Sequence, residues 1–312
     1  MIYFDNSATT KPYPEALETY MQVASKIVGN PSSLHRLGDQ ATRILDASRQ
    51  QIADLIGKKS DEIFFTSGGT EGDNWVIKGV AFEKAQFGKH IIVSAIEHPA
   101  VKESALWLKS QGFEVDIVPV DEKGFVDVEA LASLIRSDTT LVSIMAVNNE
   151  VGSINPIDEI ATYVKKHTHA YMHVDMTQAI GKVDVDFKNI DLASISAHKL
   201  EGLKGSGILV KKVHVPFVPL INGGEQEYGI RGGTSNACVN MVFAKTLRFA
   251  LENGKKYHDY ITTLQQTLLR GLSTIPGVLI NQPSDAVNSV VNFSYEKIPS
   301  EVMQNALNKK GF

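Results

Sequence analysis

The feature that most constrains this 312-residue chain is an alternation of short, buried-type strand runs with amphipathic helical stretches. Glu62 to Thr66, His90 to Ser94, Phe113 to Val120, Thr140 to Val147, Ala170 to Asp175 and Leu192 to Ser196 are apolar runs of strand length, and helical patterns separate most of them. This order predicts a mainly parallel sheet wrapped by crossover helices. Gly207 to Lys212 follows Ser196 too closely for a crossover helix, so it predicts an antiparallel partner and a sheet of about seven strands. Before the sheet, Leu17, Tyr20, Met21, Ala24, Ile27 and Val28 recur at helical spacing up to the stop at Gly29-Asn30-Pro31. Leu45, Ile52, Leu55 and Ile56 mark a second helix that closes at Gly57.

Beyond the sheet, a helical pattern runs from Ala237 to about Thr274, followed by strand-like Val278–Ile280 and Ser289–Phe293 and a helix over Glu301–Lys309. The fold class expected is therefore α/β, with a smaller α+β C-terminal domain that reads as incomplete. The expected division is 1–14 as an N-terminal segment associated with the small domain, 15–250 as the large ligand-binding domain, and 251–312 as part of the small one. An unfinished small domain predicts exposed apolar surface at Val290, Val291 and Phe293.

Composition excludes several classes. No run approaches the roughly 18 apolar residues of a membrane span, and Met1-Ile-Tyr-Phe-Asp5 lacks the basic start of a secretory signal, which places the chain in the cytoplasm. The single cysteine, Cys238, cannot build a disulfide framework or a multi-thiolate metal site; at the start of a helical pattern it reads as a buried, inert thiol. A net charge of -4 without a dense basic run gives no footprint for nucleic acid, and a small-molecule substrate is favoured.

Ligands of open parallel sheets sit beyond the carboxyl ends of the strands, and several of those ends carry chemistry. Thr66-Ser-Gly-Gly-Thr-Glu-Gly72 precedes a helix expected from about Asp73; its glycines, the Thr70 hydroxyl and the helix amino terminus suit a phosphate, although an ordinary glycine-rich turn reads the same way. Asp175 ends its strand with Gln178 three residues on; such an acid can pair with a pyridine nitrogen, as pyridoxal phosphate (PLP) requires, or can cap the next helix. Ser196-Ala-His-Lys199 puts a lysine just past a buried strand, where desolvation lowers its pKa and suits it to condense with an aldehyde. His98 after Glu97 can stack on a flat ring or be structural, and Asn148-Asn149 can serve a ligand or form a turn. Gly202-Leu-Lys-Gly-Ser-Gly207 leads into a strand rather than a helix, which argues against a dinucleotide fingerprint.

Together these residues resemble the cysteine desulfurases, a branch of the class V, fold type I PLP enzymes. The resemblance runs in order through Phe4-Asp-Asn-Ser-Ala-Thr-Thr10, Gly29-Asn-Pro-Ser-Ser33, Phe65-Thr-Ser-Gly-Gly-Thr-Glu71, Glu97-His98, Asn148-Asn-Glu-Val-Gly152, His173-Val-Asp-Met-Thr-Gln178, Ser196-Ala-His-Lys199 and Arg231-Gly-Gly-Thr234. It implies that Lys199 holds PLP and moves the substrate's Cα proton, that Asp175 pairs with the ring nitrogen and that His98 stacks on the ring. It further implies Gly69, Thr70, Ser196 and His198 at the phosphate, Gln178 at the phenolic oxygen and Asn149 at substrate or cofactor. In a homodimer, Thr234 would reach the neighbour's phosphate.

The implied reaction converts L-cysteine to L-alanine, with the sulfur passing to a protein cysteine and onward to an acceptor protein for iron–sulfur clusters or tRNA thiolation. The family's cysteine loop is expected to begin where this chain ends, at Gly311-Phe312. Leu200-Glu-Gly-Leu-Lys-Gly205 and Tyr228 depart from the family pattern and suggest a divergent sub-branch. Another class V enzyme, such as a selenocysteine lyase or an aminotransferase-like protein, and a non-catalytic PLP-binding paralogue are the alternatives.

Overall fold

A computed structural model describes residues 1–312. Two helices open the chain, α1 (Pro14–Lys26) and α2 (Arg36–Leu55). The alternating region follows as β1 (Ile63–Thr66), α3 (Gly69–Lys84), β2 (His90–Ser94), α4 (Pro99–Ser110), β3 (Glu114–Val118), α5 (Val128–Leu134), β4 (Thr139–Ser143), α6 (Ile157–His167), β5 (Tyr171–Asp175), β6 (Leu192–Ser196) and β7 (Gly207–Lys211). A 37-residue helix, α7 (Ala237–Ser273), leads to β8 (Val278–Ile280), β9 (Phe293–Tyr295) and α8 (Ser300–Lys309).

The seven strands lie in the order β1-β7-β6-β5-β4-β2-β3. β7 runs antiparallel to both β1 and β6, as its short connection requires, and the remaining pairs are parallel. From β2 the chain steps outward to β3, then returns past β2 to β4 and continues the other way. The crevice where this direction reverses lies beside the ends of β2 and β4.

Strand side chains alternate between two faces. Ile63, Phe65, Ile92, Val142, Ala193, Ile195, Ile208 and Val210 join one core with α2, α6 and α7, whereas Phe64, Ile91, Val93, Leu141, Leu192 and Leu209 join a second core with α3 and α4. Both faces are thus covered, and every residue of β2, β4, β6 and β7 is buried. Such doubly covered strands read as continuous apolar runs, which is why they were visible in the sequence. The outer strand β3 is partly exposed, with Ile117 among its solvent-facing residues.

Three expectations are corrected. The second small-domain strand is Phe293–Tyr295, not Ser289–Phe293. The preceding stretch is tied to the large sheet instead: Val287 N donates to Gly152 O at 2.8 Å, and Val287 and Val290 complete the larger core. Val290 is therefore buried rather than exposed, and Val291 and Phe293 are half-buried. The apolar residues this unit does expose include Leu279, Ile280, Val302 and Leu307. Cys238, at the start of α7, is half-buried rather than buried. No helix is long and apolar enough to cross a membrane.

Candidate active site

The carboxyl ends of the parallel strands open into a cleft of about 800 Å3. Gly69, Thr70, His98, Asn149, Asp175, Gln178, Ser196, His198 and Lys199 all line it. Of the residues that the resemblance assigns to cofactor or substrate, Thr234 alone lies elsewhere, exposed before α7.

One end of the cleft is built for an anion. Helix α3 begins at Gly69, four residues earlier than the sequence suggested, with Gly68 as its cap and no side chain bonded to its first N–H groups. Those groups and the positive end of the helix therefore face the cleft unsatisfied. Ser196 Oγ, nearby and fully buried, also has no partner within the chain. Gly207 lets this loop lie close, since a Cβ there would sit 2.7 Å from Gly68 Cα. Glu71 would repel an anion, but Arg231 holds it through two bonds of 2.8 and 3.0 Å. Burial pushes the Glu71 carboxyl up, yet the hydrogen bonds from Arg231 and Ser67 prevail and its pKa falls. The stretch bearing Arg231 and Thr234 is further fixed by the buried Arg49–Glu227 pair at 2.7 Å, with Glu227 also accepting from Phe65 N.

The cleft floor is built for a cation. Asp175, at the end of β5, is buried and in no ion pair, with Oδ1 accepting from Thr177 N at 2.8 Å. No helix follows β5 before β6, so the carboxyl closes a local turn rather than capping a helix, and the residue lines the cleft. Burial raises the Asp175 pKa despite the hydrogen bonds from Thr177 and the nearby Lys199 ammonium. A carboxylate in that state gains from a cationic N–H placed against it. An unsatisfied anion cradle at one end and an uncompensated acid on the floor suit the phosphate and the ring nitrogen of PLP.

Lys199 sits in the short turn after β6, where Nζ donates to the backbone carbonyls of Ser7 and Ala8, the latter at 2.8 Å. Burial lowers its pKa, with Asp175 and Asp5 opposing. His198 Nδ1 lies 3.1 Å from Thr9 Oγ1, and burial followed by Lys199 lowers its pKa to about 4, so the ring is neutral at pH 7. His98 caps α4, its Nδ1 accepting from Ala100 N at 3.1 Å, which leaves Nε2 to carry the proton of the neutral ring. Asn148 serves as the turn, accepting from Glu150 N and Val151 N, while Asn149 lines the cleft.

The cleft also brings in residues to which the sequence assigned no separate role. Ser7, Ala8 and Thr9 form a strap across His198 and Lys199 from 189 to 192 residues away. Lys204 and Gly205 line the cleft, although the glycine-rich run that contains them leads into β7 as expected. Beneath the floor, Glu97 accepts from Ser94 Oγ and Met145 N on one oxygen and leaves the other without a partner. Burial raises its pKa to about 8.

The aminotransferase class-V family model matches residues 2–312. A NifS/IcsS protein homolog of Lactobacillus delbrueckii subsp. bulgaricus is 46% identical over 312 residues, covering 98% of this chain and 81% of the relative. The cysteine desulfurase IscS of Methanosarcina thermophila is 42% identical over 313 residues, covering 99% of this chain and 77% of the relative. A solved NifS-like protein superposes with a TM-score of 0.97 at 38% identity, covering 100% of this chain and 86% of that one. With its seven-stranded sheet, its anion cradle and its lysine past β6, this chain belongs to the PLP-dependent class V aminotransferase family, within its cysteine desulfurase branch.

Proposed function

We propose that this chain binds PLP in the cleft between Gly68 and Lys199 and draws sulfur from L-cysteine, leaving L-alanine. The observation that carries the reading is the convergence of a buried acid without a counter-charge, Asp175, with a desolvated lysine, Lys199, beside an anion cradle whose Ser196 hydroxyl lacks a partner.

PLP, when bound, supplies an electron sink for bond cleavage at the substrate's Cα and Cβ. Asp175 keeps the ring nitrogen protonated, and its burial makes that contact worth more than it would be in water. Gly69, Thr70, Ser196 and His198 hold the phosphate, and neutral His198 offers a donor without adding charge. Lys199 is the attachment lysine and carries the Cα proton on Nζ; its lowered pKa favours the neutral amine that such a step needs. With the cofactor bound, His98 would pack against the ring and move protons through Nε2, Gln178 would face the phenolic oxygen, and Asn149 would meet substrate or cofactor.

The thiol that receives sulfur is one other than Cys238, which lies outside the cleft and whose pKa is raised by burial, away from the reactive thiolate. Thr234, exposed beyond its own cleft, supports a homodimer in which it completes the neighbour's phosphate site. We place the protein in the cytoplasm, passing sulfur to an acceptor protein of iron–sulfur cluster or tRNA thiolation pathways. The test is the absorbance spectrum of protein and PLP before and after L-cysteine. A cofactor band that responds to cysteine and is lost in Lys199→Ala is expected; a band that survives that substitution overturns the assignment.

A further inference from the structure

We propose that Lys182, which does not line the cleft, is a positioning residue that holds the Gln178 amide with its oxygen turned away from the ligand and its N–H groups toward it. This rests on the reading that Gln178 faces the phenolic oxygen of the cofactor. Lys182 Nζ donates to Gln178 Oε1 at 2.6 Å. An ammonium offers donors only, so it accepts no orientation of the amide but the one with the oxygen facing it.

Gln178 is buried, and its Nε2 donates to Ser7 O at 3.0 Å, which leaves the second N–H of the amide for the cleft. The same Ser7 carbonyl accepts from Lys199 Nζ. Lys182, Gln178, Ser7 and Lys199 are thus one connected set of hydrogen bonds. When Lys199 turns to the cofactor, Ser7 loses one donor and the outer end of the set, Lys182, keeps the amide in place.

Lys182 has no compensating acid. Burial comes first and the Lys199 ammonium second in pushing its pKa down to about 8, and no carboxylate acts in the other direction. A desolvated lysine without a counter-ion costs stability, so its presence beside Gln178 is explained by what it does to that amide rather than by what it adds to the fold. A donor at the phenolic oxygen stabilises the form of the bound chromophore in which that oxygen is most negative, which is its deprotonated form. Losing the donor therefore raises the pH midpoint of the cofactor band.

The experiment compares the pH titration of the cofactor absorbance in the PLP-loaded wild type, Lys182→Met, Lys182→Arg and Gln178→Ala. The other charged and titratable groups that line the cleft, Asp5, Glu71, Asp73, His98, Glu150, Asp175, His198, Lys199 and Lys204, are common to all four. Lys182→Met is expected to raise the midpoint by up to about one pH unit, the scale of one ordinary hydrogen bond. Gln178→Ala is expected to raise it at least as far, and Lys182→Arg, also a donor only, to keep the wild-type value. A shifted Gln178→Ala beside a wild-type midpoint in Lys182→Met overturns the role of Lys182 and leaves the reading of Gln178 standing. A wild-type midpoint in Gln178→Ala overturns both. Should Lys182→Met fail to fold, Lys182→Gln carries the test, since its amide can accept as well as donate; an unshifted midpoint there also overturns the proposal.

Discussion

Replacing Asp175 by Asn separates what the buried carboxylate costs the empty protein from what it contributes to the cofactor. Asparagine keeps the shape and can still accept the 2.8 Å bond from Thr177 N, so the local turn survives. What is lost is the negative charge on the cleft floor, which no ion pair neutralises and which burial disfavours. A hydrogen bond to a charged group is worth about 1.5 to 3 kcal/mol net, so PLP affinity should fall by roughly 10- to 160-fold. Without the cofactor the change is opposite in sign: the variant no longer buries an unpaired charge and should melt at a higher temperature than wild type. Titrating the apo-protein with PLP by absorbance reads the first effect, and thermal unfolding without PLP reads the second. An Asp175→Asn protein that binds PLP as tightly as wild type would refute the claim that this carboxylate is the counter-charge of the ring.

Two other expectations come from neighbouring residues. Glu97 keeps its proton up to about pH 8 in the folded chain, against an ordinary value of 4.5, so its contribution to stability is complete below about pH 4.5 and is lost as pH rises through 8. Glu97→Gln keeps the acceptor for Ser94 and Met145, and melting temperatures between pH 5 and 9 should decline less than in wild type; parallel declines would show that the acid is not buried as described. Gly207→Ala places a methyl 2.7 Å from Gly68 Cα and 2.8 Å from Ile195 O, both backbone atoms with little freedom to move. Overpacking of this kind costs about 1 to 3 kcal/mol, and the displaced loop should weaken PLP binding about tenfold or more in the same absorbance titration; unchanged binding would mean that the loop position is not critical.

The parallel sheet was legible because strands covered on both faces show as unbroken apolar runs, and its carboxyl ends could therefore be located residue by residue. That is why Asp175 and Lys199 stood out from the many other charged residues: position relative to a strand identified them, not residue type. Local pattern misled where distant packing decides. Ser289–Phe293 reads as a strand, but Val287 and Val290 are drawn into the large core against Gly152, and pairing starts only at Phe293. The start of α3 was placed too late because glycines suggest a loop, whereas Glu71 reaching back to Ser67 N at 2.8 Å closes the first turn at Gly69. Lys182 reads as an ordinary surface lysine, and only the folded chain shows its ammonium against Gln178. The link between Glu71 and Arg231 spans 160 residues and leaves no local trace.

The strap over Lys199 also sets when the site can come into being. Thr10 N and its hydroxyl both bond His198 O, and Tyr13 N bonds Glu201 O, so the chain's opening residues are partners of a turn made 188 residues later. Closing a loop of that length costs on the order of 5 kcal/mol in chain entropy. On a ribosome adding about 5 to 20 residues per second, the first dozen residues wait roughly 10 to 40 seconds for the segment they are to cover. The cleft therefore cannot close as its strands are made in turn: the Gly69 loop precedes the Lys199 turn by some 130 residues of synthesis, and that turn meets a cover made before either.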